Sequence, residues 1–179
     1  MRVPVTDLVG HPGETRELQR AVPAETFGSD PWGPTVAEVE DPIELELHLD
    51  AVVEGILARG TIRFTVQLPC ARCLKHQRRR QEVEVAELFV DPTKREHDDE
   101  DDPGYELVDD LTAIDLSTMV RDTLLIDLPV RVLCSEDCQG LCPVCGTDLN
   151  VADCGHRPGE VKDPRWAKLA DLDLDLPTD

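Results

Sequence analysis

The stretch IELELHLDAVVEGILARGTIRFTVQLPC, residues 43 to 70, predicts the centre of the fold. Apolar side chains occupy every second position from Ile43 to Leu49, and the same alternation returns from Ile62 to Leu68. Alternation with a period of two indicates strands that bury one face and expose the other. We expect the first strand to continue across Gly55 and interpret Arg59-Gly60 as the turn between the two strands.

A third alternating segment follows in RRRQEVEVAELFV, residues 78 to 90, where Val83, Val85 and Phe89 share one face. Three consecutive strands of this kind predict an antiparallel meander or a small barrel covered on one face. Near the N-terminus, MRVPVTDLV is a candidate strand. The segment GETRELQRAV, residues 13 to 22, fits either a strand or a short helix.

A helical pattern lies downstream in IDLSTMVRDTLLIDLP, residues 114 to 129. Its apolar side chains recur at helical spacing, Asp115 is a suitable N-cap and Pro129 ends the segment. We predict a helix near residues 115–127 that packs across the sheet, and a second short helix in DPRWAKLADL, residues 163 to 172. The predicted fold class is therefore α+β, with one or two helices packed on an antiparallel β meander or small barrel.

The chain is acidic: its 179 residues include 18 Lys and Arg against 38 Asp and Glu, a formal net charge of −20. Residues 91–110, DPTKREHDDEDDPGYELVDD, combine dense like charge with few apolar groups and predict a solvated loop. The tail DLDLDLPTD, residues 171 to 179, is predicted to be frayed.

The stretch CSEDCQGLCPVCG, residues 134 to 146, is dense in cysteine, and Cys70-Ala-Arg-Cys73 and Cys154-Gly-His156 add further ligands. A C-x-x-C turn brings two thiolates to one point, as tetrahedral zinc requires. The predicted zinc ligands are Cys70, Cys73, Cys134, Cys138, Cys142, Cys145, Cys154 and His156, enough for two ions.

Two divisions of these ligands are open. The first, which we favour, joins Cys142, Cys145, Cys154 and His156 in a local loop and leaves Cys70, Cys73, Cys134 and Cys138 as a long-range site. The rival division pairs the two C-x-x-C units in one ribbon. A redox role is disfavoured because a thioredoxin-like motif needs a βαβ setting, whereas the first C-x-x-C lies between alternating strands.

The chain thus divides into two predicted parts. Residues 1–133 form a β-rich body that includes the helix and the acidic loop 91–110. Residues 134–179 form a zinc-binding C-terminal segment with the short helix and the frayed acidic tail. Because the acid-rich stretches stay outside the core, a small ordered body gains stability from a metal cross-link.

The charge is unevenly distributed, since Gly55 to Gln81 contains no acid and seven cations. Arg72 and Lys75 are close enough to offset thiolate charge. The arginines at 78–80 lie roughly 16–23 Å further along a strand, beyond a Debye length of about 8 Å, so we predict phosphate contacts there. The candidate RNA or partner contacts are Arg72, Lys75, Arg78, Arg79 and Arg80.

Several function classes are disfavoured. The N-terminus lacks the basic start, apolar run and small-residue cleavage site of a secretory signal, and no stretch approaches the roughly 18 apolar residues of a membrane span. We therefore predict a cytoplasmic protein, in which clustered cysteines stay reduced and act as ligands. No nucleophile elbow, phosphate-binding glycine loop or open three-ligand metal site is present, so we predict neither enzymatic activity nor a small-molecule substrate.

Four segments in this order carry a resemblance: LPCARCL, then IDLSTMVRDTLLIDLP, CSEDCQGLCPVCGTDLN and DPRWAKL. The chain resembles the YceD-type family, the large ribosomal RNA subunit accumulation proteins, over roughly residues 40 to 170. Some relatives keep only the first C-x-x-C and the pair matching Cys134 and Cys138, which favours two separate sites. Many end the second cluster in C-x-C, where this chain has Cys154-Gly-His156, still a good zinc ligand set.

The resemblance implies a non-enzymatic role in the maturation or accumulation of 23S ribosomal RNA in bacteria and plastids. Family genes commonly neighbour that of a small basic protein of the large subunit. Two functions therefore remain open: an assembly factor whose basic hairpin contacts precursor 23S rRNA or the large ribosomal subunit, and an acidic escort that shields a basic ribosomal protein.

Overall fold

The structure is a computed structural model that describes residues 1–28, 32, 37–94, 104–108, 110–157 and 165. The strands are β1 (Arg2–Pro4), β2 (Thr15–Val22), β3 (Glu38–Ala51), β4 (Gly55–Pro69), β5 (His76–Val90), β6 (Tyr105–Val108) and β7 (Ala113–Asp115). They form one curled sheet, a half-barrel, in the order β1-β7-β6-β5-β4-β3-β2. All neighbours are antiparallel except β5 and β6, which pair in parallel.

The predicted meander is the centre of this sheet. The segment at residues 13–22, which fits either a strand or a short helix by sequence, forms the strand β2. Leu45 on β3 lies opposite Ile62 on β4, and Leu49 lies opposite Ala58. All four side chains are buried, because alternate residues of each strand point into the concave side of the sheet. The intervening residues point outward and most of them are polar, so one face of the meander is solvated.

The helix α1 (Leu116–Asp127) packs in the concave side of the sheet. It begins at Asp115, whose side chain accepts a hydrogen bond of 2.9 Å from the Ser117 amide, the usual N-cap arrangement. Its buried residues are Leu116, Met119, Val120 and Leu124. They face a 3₁₀ helix at Ala24–Phe27 and the strands β1 and β5, so α1 closes the core. A second 3₁₀ helix, Pro92–Lys94, follows β5.

The prediction of a turn at Arg59-Gly60 is wrong. The chain reverses instead between Ala51 and Gly55, and β4 runs unbroken through Gly60. Gly60 has φ +149° and lies opposite Leu47, where a side chain would overlap the Glu46 carbonyl oxygen of β3. The glycine therefore permits a close approach of two strands and does not mark a turn.

Some predicted features lie outside the described residues. These are half of the acidic loop 91–110, most of the short helix at 163–172 and the tail 171–179. In the described half of that segment, Pro92–Lys94 form a 3₁₀ helix and Tyr105–Val108 form the strand β6, so this part is not the loop that the sequence predicts. The division into a body and a C-terminal segment stays a prediction. Within the described residues, no helix is long and apolar enough to cross a membrane.

Candidate metal centres

Four cysteines, which we call cluster A, meet at the tip of the β4–β5 hairpin. Cys70 and Cys73 lie in the connection between the strands, and Cys134 and Cys138 lie in the segment that follows α1. The Sγ atoms of Cys70 and Cys138 are 3.8 Å apart, and those of Cys73 and Cys134 are 3.5 Å apart. All four sulfur atoms lie within 4.8 Å of one another, so cluster A joins residues more than 60 positions apart.

Backbone contacts hold the two halves of cluster A together. The Ala71 amide donates to the Val132 carbonyl at 2.8 Å, and the Leu141 amide donates to the Arg72 carbonyl at 3.1 Å. The Arg72 guanidinium donates to the Cys138 carbonyl at 2.7 Å. Arg72, predicted as a phosphate or partner contact, thus binds the ligand loop and positions a cysteine.

A second group, which we call cluster B, consists of Cys142, Cys145, Cys154 and His156. The Cys142 Sγ lies 3.7 Å from the His156 Nδ1. The turn closes through the Gly146 amide, which donates to the Cys142 carbonyl at 2.8 Å, and Gly146 has φ +74° as the glycine after the second C-x-x-C predicts. Cluster B is more exposed than cluster A: Cys145 is exposed and Cys154 half-buried, whereas Cys70, Cys73 and Cys138 are buried.

Local hydrogen bonds make one thiol of each cluster easy to ionise. Amide donors from Cys73, Arg72 and Cys134 lower the pKa of Cys70 to about 6 against the opposing effect of burial. The side chain and amide of Thr147 likewise lower the pKa of Cys145 to about 6. Thiolates are the form in which cysteine binds a metal ion.

Two other thiols of cluster A, those of Cys73 and Cys134, have raised pKa values and resist ionisation while no cation is near. The Lys75 amide favours the thiolate of Cys73, but burial and the neighbouring thiols raise its pKa to about 12. For Cys134 the Cys138 thiol has the largest effect and also raises the pKa. A divalent cation at the centre would remove this mutual repulsion, because it stabilises every thiolate around it.

Both clusters fit a tetrahedral zinc ion. Four sulfur atoms placed about 2.3 Å from one zinc ion lie about 3.8 Å from each other, which agrees with the separations of 3.8 and 3.5 Å in cluster A. A disulfide needs sulfur atoms roughly 2.05 Å apart, so these cysteines are not bonded in pairs. The structure therefore groups the ligands as the favoured division does, not as a single ribbon of the two C-x-x-C units.

Polar contacts that the sequence analysis missed connect the clusters. The Asn150 side chain accepts from the Gln139 amide at 2.7 Å and its amide group contacts the Cys138 Sγ at 3.5 Å. Asp148 forms an ion pair of 2.8 Å with Lys75, and this lysine lowers the pKa of Asp148 to about 2. The only sequence signal was the position of both residues inside the cluster B loop. Lys75, another predicted contact, therefore has an acidic partner.

The arginines predicted as phosphate contacts also have partners within the chain. Arg78 pairs with Glu40 at 2.7 Å and Arg80 with Glu44 at 3.3 Å. Arg79 points to the other face and approaches the Leu133 carbonyl at 3.5 Å. The acid-free stretch of sequence thus does not form a purely basic surface, because carboxylates of β3 lie beside it on the outward face of the sheet.

Comparison with known proteins identifies a family whose members this chain resembles in sequence. The family described as large ribosomal RNA subunit accumulation protein YceD matches residues 58–173, which contain both clusters. An uncharacterized protein of Mycobacterium tuberculosis is 39% identical over 132 residues, covering 73% of this chain and 61% of the relative. An uncharacterized protein of Mycobacterium leprae is 36% identical over 171 residues, covering 94% of this chain and 75% of the relative.

A plant protein is similar over a shorter stretch. The large ribosomal RNA subunit accumulation protein YCED homolog 1, chloroplastic, of Arabidopsis thaliana is 34% identical over 61 residues, covering 33% of this chain and 18% of that protein. The chain spans about 61% of the length of the M. tuberculosis relative it matches. No solved structure matches the chain.

Proposed function

The chain belongs to the YceD family of large ribosomal RNA subunit accumulation proteins, and on this premise we propose that it is a non-enzymatic zinc-binding factor for 23S rRNA accumulation and large-subunit biogenesis. The observation that supports the proposal is the family match over residues 58–173, which includes most of the β4–β5 hairpin and both clusters. We place the protein in the cytoplasm, where free thiols stay reduced.

Zinc at each cluster would act as a structural cross-link. Cluster A and cluster B each offer four protein ligands, so neither leaves the open coordination position of a catalytic site. Support comes from the thiol separations and from the amide hydrogen bonds that favour the thiolates of Cys70 and Cys145. This ligand chemistry favours a structural role over hydrolysis or redox catalysis.

The purified protein is expected to carry two zinc ions per chain. Mass spectrometry under native conditions gives the metal count directly, and the same sample after denaturation shows whether any cysteines are bonded in pairs. A count of one would mean that only one cluster binds zinc, and a count of zero with oxidised cysteines would contradict a metal role for either cluster.

The proposed RNA contact is the outward face beside cluster A, where Arg78 and Arg80 have side chains 71% and 70% exposed. Their ion pairs with Glu40 and Glu44 are solvent-accessible, and such pairs contribute only about 0–1 kcal/mol. A phosphate group can therefore replace the carboxylate as the partner of either arginine. Precursor 23S rRNA is the proposed ligand.

Changing both arginines to glutamate tests this contact. R78E/R80E is expected to weaken binding to 23S rRNA fragments and to reduce the slope of log affinity against log salt by roughly 0.7–0.9 per lost phosphate contact. In cells that lack the native gene, the variant should fail to restore large-subunit rRNA levels. The control R20E/R59E makes the same change in net charge away from cluster A and should retain both properties.

The alternative is an acidic escort that shields a basic large-subunit ribosomal protein. It is favoured by the net charge of −20 and by the carboxylates of β3 that already neutralise Arg78 and Arg80. Full rescue by R78E/R80E, together with tight binding to an isolated basic ribosomal protein, would favour the escort over the RNA-binding factor.

A further inference from the structure

Part of one edge of the strand β5, in the middle of the sheet, has no partner strand among the described residues. Along one side the strand pairs with β4 over its whole length, from His76 to Val90. Along the other side it pairs with β6 only at Phe89 and Val90. Among the described residues, no strand pairs with residues 76–88 on that side. An edge of this length is a template for pairing with another strand.

The charges along this edge are self-complementary. Arg78 and Arg80 occupy its first half, and Glu82 and Glu84 its second half, all on the outward face of the sheet. An identical strand running antiparallel would place basic residues opposite acidic ones. From this pattern we propose that two copies of the chain associate through the free edge of β5, joining their sheets across a two-fold axis at Gln81.

The register follows from the charges. A two-fold axis at Gln81 places Arg80 opposite the partner's Glu82 and Arg78 opposite the partner's Glu84, which gives four opposite-charge pairs in the dimer. Moving the axis by one residue places Arg80 or Glu82 opposite its own copy, and moving it by two residues places Arg78 opposite Arg80 or Glu82 opposite Glu84. Among the axes within two residues of Gln81, only the one at Gln81 avoids like charges, which are destabilising when directly opposite.

The present partners of the arginines are distant in the sheet. Directly opposite Arg78 and Arg80 on β4 are Gln67 and Thr65, which are uncharged. The arginines therefore reach past β4 to carboxylates on β3, two strands or about 9.6 Å away in the hydrogen-bonding direction. A strand on the free edge would offer a carboxylate at about half that distance. Of the two glutamates, Glu82 pairs with Arg63 on β4 at 3.0 Å, whereas Glu84 forms no ion pair within the part of the chain that the structure describes.

Other features of the edge fit an additional strand. On the concave face Val83 and Val85 are only partly buried, so a neighbouring strand would cover them further. Pairing over residues 76–86 would form about ten backbone hydrogen bonds. The same register directs the hairpin tip, with Leu74 60% exposed, toward the partner's open cleft of about 760 Å³, whose lining combines Leu88, Phe89 and Tyr105 with four acidic residues.

A charge-swap experiment tests the dimer, measured by sedimentation of a concentration series at about 0.15 M salt, where charges beyond roughly 8 Å are screened. The wild-type chain is expected to reach twice its mass of 19.9 kDa. E82R/E84R and R78E/R80E should each turn four opposite-charge pairs into like-charge pairs and weaken the dimer by roughly 100-fold. Mixed together, the two variants should form a heterodimer, because every facing pair is again of opposite sign.

The control E14R/E17R makes the same change in net charge as E82R/E84R. Its two positions lie just before β2 and within β2, away from the proposed interface, so this variant should remain dimeric. E82R/E84R also separates this proposal from RNA binding, since it disrupts the dimer while keeping Arg78 and Arg80. A wild-type chain that is monomeric throughout the series, or variants that remain monomeric when mixed, would overturn the proposal. Dimers that survive both charge reversals would place the interface elsewhere and also overturn it.

Discussion

Cys70→Ser is expected to remove most of the stability of the fold, whereas Cys142→Ser is expected to leave the sheet folded. Cys70 is fully buried at the end of β4 and belongs to cluster A, which ties the hairpin to residues 134–138. Structural zinc contributes an apparent 10–16 kcal/mol in small peptides, as much as the whole stability of a typical domain, about 5–15 kcal/mol. Losing one of the four ligands of cluster A is therefore expected to destabilise the whole fold.

Cluster B cross-links a shorter segment of the chain than cluster A does. Its ligands span only residues 142–156, and its connections to cluster A include the Asn150 contacts, the Lys75–Asp148 ion pair and the hydrogen bond from the Leu141 amide to the Arg72 carbonyl. Cys142→Ser should release the local loop, lower the melting temperature slightly and leave one zinc ion bound. Cys145→Ser should reproduce this result, since it removes another ligand of the same cluster.

Thermal unfolding by circular dichroism and the zinc count by native mass spectrometry distinguish the variants. The expected pattern for Cys70→Ser is a melting temperature far below that of wild type and loss of the cluster A zinc. Equal destabilisation by Cys70→Ser and Cys142→Ser, with both zinc ions lost from each, would show that the clusters form one cooperative unit.

Patterns confined to one stretch of chain were the predictable part of this molecule. Strand alternation depends only on a residue's immediate neighbours, and so does the spacing of Cys142 and Cys145. The same holds for the positive φ of Gly146, which follows directly from the turn chemistry of its C-x-x-C unit. Cluster A could be predicted only because its ligands remained once the local loop was assigned.

Features that depend on neighbouring strands were not predictable. A count along the chain shows an acid-free basic stretch, but Arg78 meets Glu40, which is 38 residues away in sequence and two strands away in the sheet. Asn150 meets Cys138 only once cluster B packs on cluster A. In both cases side chains are brought together by the register of the fold, which a single sequence does not specify.

Gly60 is the clearest example of a residue whose role depends on a neighbouring strand. Gly60→Ala is expected to be strongly destabilising. At φ +149° an alanine is strained, and its Cβ would overlap the Glu46 carbonyl oxygen and lie 2.9 Å from the Leu47 Cα. Both atoms belong to the backbone of β3, so no side-chain rotation relieves the clash. Backbone strain of about 1–3 kcal/mol and overpacking of similar size together predict a melting temperature lower by roughly 10 °C or more.

Gly13→Ala is the matched control. Gly13 also has positive φ, at +99°, but a Cβ there has no heavy atom within 4 Å, so the substitution carries the strain without the clash. It should lower the melting temperature by only a few degrees, since about 1 kcal/mol corresponds to roughly 2–4 °C in a chain of this size. Equal effects at the two positions would mean that β3 moves away from β4 at little cost. In that case the close approach of the two strands at Gly60 would not be what requires a glycine in the middle of β4.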